Sequence, residues 1–188
     1  PSWAGKTTLG SLFLEAAGGR GENSIGYLFE ELKSDYLYRS GEIDLDIEPL
    51  VDDGVVRIEE IESLTQSPDE LAHHIRTSVE EDCAEVVMID GITGYRLGLR
   101  GDDTQDELTR ELHALCRYLK RMGVTVILIE EVKNITGDLS ATDEQISYLA
   151  DNIVFIRYLE TNGEIHKTVG VLKKRFGDFE QSVREFEI

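Results

Sequence analysis

The first residues of the chain have the types and spacing that phosphate binding requires. In PSWAGKTT, Gly5, Lys6 and Thr7 match the last three positions of the phosphate-loop pattern G-x-x-x-x-G-K-[ST]. Backbone N–H groups of such a loop surround phosphate oxygens, the lysine reaches the β- and γ-phosphates, and the hydroxyl binds Mg²⁺. The first glycine of the pattern would precede Pro1, so we expect that the chain begins inside the motif. The predicted nucleotide-binding residues are Ala4, Gly5, Lys6, Thr7 and Thr8.

Carboxylates follow two of the apolar runs. Asp90 closes the run Val86–Ile89, where one carboxylate suits a Mg²⁺ that keeps several waters and also contacts a nucleotide. Glu30 and Glu31 follow the first apolar run after the loop, and a carboxylate there can orient or deprotonate an attacking water or hydroxyl. The alternatives are that Asp90 caps the next loop and that the glutamates merely favour a helix N-terminus.

The elements that must position these residues alternate between helix and strand. Apolar periodicity and breakers predict helices at Thr7–Ala17, Ser34–Ser40, Ser67–Asp82 and Asp103–Met122, and strands at Ser24–Phe29, Gly54–Ile61, Ala84–Asp90 and Val124–Glu130. This order predicts an α/β fold with a mostly parallel, twisted sheet flanked by helices. Ligands bind at the carboxyl ends of such strands, so we expect the loop, the glutamates and Asp90 to meet there.

The pattern changes after Glu131. Three strand-like runs, NIVFIRYLE, EIHKTVGVLKKR and VREFEI, are joined by short turns, the first at Thr161-Asn162-Gly163. They predict a C-terminal antiparallel meander attached to the edge of the sheet. We predict a single domain over residues 1–188, from which the first strand and the first glycine of the loop are missing.

Composition restricts the class of partner. The chain of 188 residues has a net charge of −19, with 38 acidic against 19 basic residues. Nucleic acid is an unfavourable partner for such a surface, because phosphate contacts require a basic footprint. Its 7 lysines against 12 arginines indicate a halophilic archaeon, in which salt screens the self-repulsion. Two cysteines and four histidines show no metal-ligand spacing, and no signal peptide or membrane span is evident, so we expect a cytoplasmic protein.

Longer segments resemble a known family. YLFEELKSD, from Tyr27, is similar to the segment that carries paired catalytic glutamates in the KaiC-like branch of the RecA superfamily. Residues 135–188, with LKKR followed by VREFEI, resemble its carboxyl-terminal half. The resemblance implies a RecA-like P-loop ATPase in signalling or regulation that binds ATP and Mg²⁺ between the subunits of a homo-oligomeric ring, usually a hexamer, with unknown regulatory partners. Clock proteins of this family have two such repeats and this chain has one, so we expect no circadian role.

The resemblance also implies roles for residues at matching positions. Lys6 and Thr7 match the loop lysine and the metal-binding hydroxyl, and Asp90 matches the metal-site aspartate. Glu30 and Glu31 match the catalytic pair, one of which is the general base. Two further catalytic residues, Lys173 and Arg175, match cations that reach the γ-phosphate of the neighbouring subunit; the alternative is a basic turn.

Three functional questions stay open at this point. Ser147 matches a residue that is autophosphorylated in the family, but Tyr148 replaces the following threonine, which favours a loop-shaping role that mass spectrometry after incubation with Mg-ATP would test. A RecA/RadA-type recombinase that binds DNA is the first alternative, although the loop residues Arg96 and Arg100 are followed by acids. The second alternative is a switch that binds ATP with little turnover.

Overall fold

The computed structural model describes residues 4–62, 67–92, 94, 104–131 and 149–187. The chain divides into two compact units, Thr7–Glu130 and Pro1–Lys6 with Glu131–Ile188. The prediction of a single domain over residues 1–188 stays a prediction. The elements are α1 Lys6–Gly19, β1 Ser24–Leu28, α2 Lys33–Glu42, α3 Ile47–Asp52, β2 Val56–Glu60, α4 Pro68–Glu80, β3 Val86–Asp90, α5 Thr104–Arg121, β4 Thr125–Ile129, β5 Asn152–Thr161, β6 Glu164–Lys174 and β7 Arg184–Glu185.

Four parallel strands form the sheet of the first unit, in the order β2-β1-β3-β4. In register, Leu28 of β1 lies opposite Glu60 of β2 and Asp90 of β3, and Asp90 lies opposite Ile129 of β4. All four carboxyl ends therefore lie at one edge of the sheet. The α/β class and the parallel sheet are confirmed.

The two central strands lie in the core. Every residue of β1 is buried, and in β3 only Asp90 is partly exposed, as expected for parallel strands covered on both faces. Burying these aliphatic side chains supplies the main stabilisation of the sheet. The core cluster around them contains Leu14, Ala17, Leu28, Tyr36, Leu45, Ile47, Val56, Ile58, Val86, Met88 and Ile129. Within the described residues, no helix combines the length and the apolar character needed to cross a bilayer.

Two helices differ from the sequence prediction. The helix predicted at Thr7–Ala17 was expected to stop at the pair Gly18-Gly19, but α1 continues through both glycines. A Cβ at Gly18 would lie 2.8 Å from Leu50 Cδ1 and 2.9 Å from Val56 Cγ2, so this glycine allows close packing, and the chain reverses at Gly21, whose φ is +79°. The short helix α3 was not predicted, because six residues are too few to show helical periodicity.

The helix start at Ser67-Pro68-Asp69-Glu70 is confirmed as the N-terminus of α4. The Ser67 hydroxyl accepts from the Glu70 backbone N–H at 3.2 Å, and the Glu70 carboxylate accepts from the Ser67 N–H at 2.7 Å. This capping box satisfies two backbone donors that the first turn of a helix leaves without partners.

The second unit contains an antiparallel sheet in the order β5-β6-β7. Asn162 and Gly163, with φ of 56° and 84°, form the predicted turn between β5 and β6. The antiparallel meander is confirmed, but its predicted attachment to the parallel sheet is wrong. Among the described strands, β5 to β7 pair only with one another. The tight turn brings β5 and β6 into register over ten residue pairs.

Candidate active site

The carboxyl ends of β1 and β3 bring Glu30 close to Asp90. The backbone N–H of Phe29 donates to the carbonyl oxygen of Asp90 at 3.1 Å. The backbone bonding between the two strand ends therefore extends to the residue directly before the glutamate pair. Gly91 has a φ of +97°, and a Cβ there would lie 3.1 Å from Phe29 Cβ and 3.5 Å from Glu30 Cγ. A glycine at position 91 therefore allows the positive φ and the close approach of Phe29, and it leaves Glu30 in ordinary van der Waals range.

The electrostatic environment of Asp90 shows which groups surround it. Burial is the largest influence and raises the pKa of the Asp90 carboxyl above its ordinary value, while a hydrogen bond with Thr7 lowers it. The negative charges of Glu31 and Glu30 raise this pKa further, and the positive charge of Arg39 lowers it. Thr7, the glutamate pair and Asp90, which are far apart in sequence, are thus brought together at one edge of the sheet.

Helix α1 starts beside this edge because it packs closely against the sheet. Gly10 is buried, and a Cβ there would lie 2.7 Å from both Met88 Sδ of β3 and Ile129 Cδ1 of β4. One helical turn earlier, Thr7 lies in the first turn of α1, which contains no acidic residue. Gly5, directly before the helix, has a φ of +100°, a conformation that favours glycine.

The two glutamates differ in their surroundings. Both oxygens of the Glu31 carboxylate accept from the guanidinium of Arg39, Oε1 from Nε at 3.0 Å and Oε2 from Nη2 at 2.8 Å. Glu30 is exposed and lies against Gly91. Sequence reasoning did not identify Arg39, since nothing in the pattern of α2 distinguishes it from a surface arginine.

The residues at this edge fit a nucleotide-bound magnesium. Asp90 and the Thr7 hydroxyl would supply two oxygen ligands of the kind that Mg²⁺ prefers, which suits an ion that takes its other ligands from water and phosphate. A cation there would also offset the cost of burying the Asp90 charge. In the described ranges, no three His, Cys, Asp or Glu side chains form a group that could hold a metal ion by themselves.

The other predicted site residues lie near the start of α1, in the unit that contains β5 to β7, or outside the described residues. Lys173 is the next-to-last residue of β6, and Arg175 directly follows that strand. The Nη1 atom of Arg175 contacts Asp151 Oδ1 at 2.9 Å, and its backbone N–H donates to the Asp151 carbonyl at 2.8 Å. Ala4 is buried and Thr8 is half-buried in α1. Ser147 with Tyr148, and Arg96 with Arg100, lie outside the described residues.

Comparison with known proteins gives a consistent match over the chain. A family model described as "ATPase: KaiC" matches residues 2–188. The circadian clock oscillator protein KaiC of Picosynechococcus sp. is 25% identical over 98% of this chain and 35% of its own length. The circadian clock protein KaiC3 of Synechocystis sp. is 23% identical over 98% of this chain and 36% of its own length.

The chain thus spans about a third of the curated relatives it matches. The expectation of no circadian role stays a prediction, as does the expected source in a halophilic archaeon.

Proposed function

The chain belongs to the KaiC ATPase family, and on that premise we propose that it binds Mg-ATP at the edge formed by Thr7, Glu30, Glu31 and Asp90 and hydrolyses it. The observation that carries the proposal is the convergence of these four side chains, from α1, the end of β1 and the end of β3, around the partly buried Asp90 carboxylate. A chance match to a short phosphate-loop motif gives no reason for its hydroxyl to hydrogen-bond to a carboxylate that also feels the charges of the glutamate pair.

Binding of the nucleotide is assigned to the start of α1. Backbone N–H groups from Ala4 to Thr8 and the positive end of the helix dipole attract the phosphates, and Lys6 contributes a point charge toward the β- and γ-phosphates. Thr7 and Asp90 would hold the magnesium. When bound, the metal neutralises charge on the phosphate oxygens during phosphoryl transfer.

The general base is assigned to Glu30. Both oxygens of Glu31 already accept hydrogen bonds from Arg39, whereas Glu30 is exposed beside Gly91. Glu30 would accept the proton of the attacking water, and Glu31 would hold the segment that carries it.

Lys173 and Arg175 are assigned to the nucleotide of a neighbouring subunit. In a ring with head-to-tail contacts, one surface of each subunit contacts a different surface of the next subunit. Cations supplied across such a contact stabilise the charge that develops on the transferring phosphoryl group. This step makes the homo-oligomeric ring, with a hexamer as the expected form, part of the proposed function.

Magnesium-dependent release of phosphate tests the proposal directly. Full-length protein incubated with ATP and Mg²⁺ should release phosphate over many turnovers, and EDTA should stop the release until Mg²⁺ is restored, because the nucleotide requires the metal between Thr7 and Asp90. A fluorescent ATP analogue measures binding in the same samples. Tight binding with no phosphate release would instead support the ATP-binding switch.

The recombinase alternative is not favoured. The family model that matches the chain is that of a KaiC ATPase, and a net charge of −19 opposes contact with the phosphate backbone of a nucleic acid. We expect no detectable binding of single-stranded DNA at moderate salt, measured by fluorescence anisotropy of a labelled oligonucleotide with and without Mg-ATP. A micromolar affinity that falls steeply as salt rises would revive this alternative, because released counterions produce that dependence.

Autokinase activity is left out of the proposed function. Ser147 and Tyr148 lie outside the described residues, and a tyrosine hydroxyl lies several ångströms farther from its backbone than the hydroxyl of threonine.

A further inference from the structure

A set of contacts links Glu31 to the first turn of α1. It runs from Glu31 through Arg39 and Tyr36 to Ser11 and ends at the backbone carbonyl of Thr7, so it connects the paired glutamates to the backbone of Thr7 by a route separate from Asp90. None of the three linking residues was singled out in the sequence.

The buried half of this set is a pair of hydrogen bonds. Ser11 and Tyr36 are both fully buried. The Ser11 hydroxyl donates to the Thr7 carbonyl oxygen at 2.8 Å and lies 2.7 Å from the Tyr36 hydroxyl. A serine hydroxyl has a single proton, so Tyr36 must donate to Ser11. Burial raises the pKa of Tyr36 to about 12, and the phenol therefore keeps its proton at neutral pH.

The outer half of the set is an arginine fork. The Arg39 guanidinium carbon lies 5.6 Å from the centre of the Tyr36 ring, within the range of a cation–π contact. Its Nε and Nη2 atoms donate to the two carboxylate oxygens of Glu31 at 3.0 and 2.8 Å. Both side chains of this ion pair are about three-quarters buried, with exposed fractions of 27% and 28%, so solvent screens the pair less than a surface pair.

We propose that Arg39 is a positioning residue for ATP hydrolysis, which holds Glu31, and with it the segment that carries Glu30, in a constant position relative to Thr7. The inference rests on the proposed function. Glu30 and Glu31 lie in the bend between β1 and α2, where the backbone has no ladder of hydrogen bonds to fix the side chains. The fork supplies that restraint, because two parallel N–H···O bonds define the orientation of the carboxylate as well as its distance.

A double-mutant cycle in the full-length protein tests the proposal. Arg39→Gln should lower kcat for phosphate release about 10- to 100-fold, as expected for a misplaced catalytic group, and leave KM for Mg-ATP within about twofold. Glu31→Gln should lower kcat by a similar factor, and the double variant should be no worse than either single one, since each change removes the same contact. Arg39→Lys should lose less activity than Arg39→Gln, because it keeps the charge without the fork.

The matched control is Arg20→Gln. Arg20 makes the same two-bond contact with Glu22, at 2.8 and 2.6 Å, after the far end of α1 and away from the site. Arg20→Gln should leave kcat unchanged. Thermal unfolding of the nucleotide-free protein supplies a readout without turnover, in which Arg39→Gln and Glu31→Gln should again be non-additive.

The outcomes separate this proposal from the proposed function. Three results in an active wild-type protein would overturn the positioning role and leave the ATPase assignment standing. Arg39→Gln could keep full kcat, or it could raise KM alone. The double variant could also lose kcat by the product of the two single losses. If wild type releases no phosphate, both fail, and the unfolding cycle then assigns the fork to stability alone.

Discussion

Glu30→Gln lowers the kcat of phosphate release about 100- to 10,000-fold, which is the range that general-base catalysis contributes. Glutamine has nearly the same size and polarity but cannot accept the proton of the attacking water at neutral pH. Glu30 lies against Gly91 and is not one of the residues predicted to contact phosphate. The affinity of Glu30→Gln for Mg-ATP should therefore stay within about twofold of the wild-type value. Single-turnover phosphate release and binding of a fluorescent ATP analogue measure the two quantities separately.

The control for this change is Glu48→Gln. Glu48 is an exposed glutamate in the first turn of α3, and its replacement should leave turnover unchanged. Two results would contradict the assignment of the base: full turnover in Glu30→Gln, or a loss of turnover that comes entirely from weaker ATP binding.

Arg175→Ala should lower kcat about 1,000-fold in the assembled protein, as loss of an arginine supplied in trans does in other phosphoryl-transfer enzymes. The side chain is partly exposed and contacts Asp151 within its own unit, so some loss of stability accompanies the change. Mixing experiments separate that loss from catalysis. Arg175→Ala and Glu30→Gln subunits are each nearly inactive alone, but a randomly mixed ring pairs an intact glutamate with an intact arginine at about a quarter of its contacts.

Mixed rings should therefore recover a substantial fraction of the wild-type phosphate release. Arg184→Ala provides the matched control, because Arg184 is an exposed arginine of the same unit that contacts Glu180 at 2.8 Å, and it should retain full activity. If mixing restores nothing although mass measurement shows mixed rings, Arg175 does not act across a subunit contact.

Much of the fold could be predicted from the sequence because local patterns and packing agree. The run Val86–Ile89 is apolar throughout, and the structure buries it on both faces as β3. The convergence of Thr7, Glu30 and Asp90 followed from the rule that parallel strands end at one edge of the sheet. These predictions needed only periodicity and strand direction.

Other features depend on contacts that no local pattern encodes. The fork from Arg39 to Glu31 joins residues eight apart across a bend, and the Ser11 to Tyr36 bond joins residues twenty-five apart. The antiparallel strands were predicted, but not that they form a sheet of their own. Strand-like runs show which segments are extended and do not show which sheet they join. The roles of Lys173 and Arg175 rest on the family resemblance and on a neighbouring subunit.

The most direct test of the central claim is a crystal structure of the full-length protein with Mg²⁺ and a non-hydrolysable ATP analogue. We expect one magnesium held between the Thr7 hydroxyl and the Asp90 carboxylate, with the Glu30 carboxylate facing the γ-phosphate. A nucleotide bound at another edge of the sheet, or a metal that contacts neither Thr7 nor Asp90, would show that the proposed site is wrong.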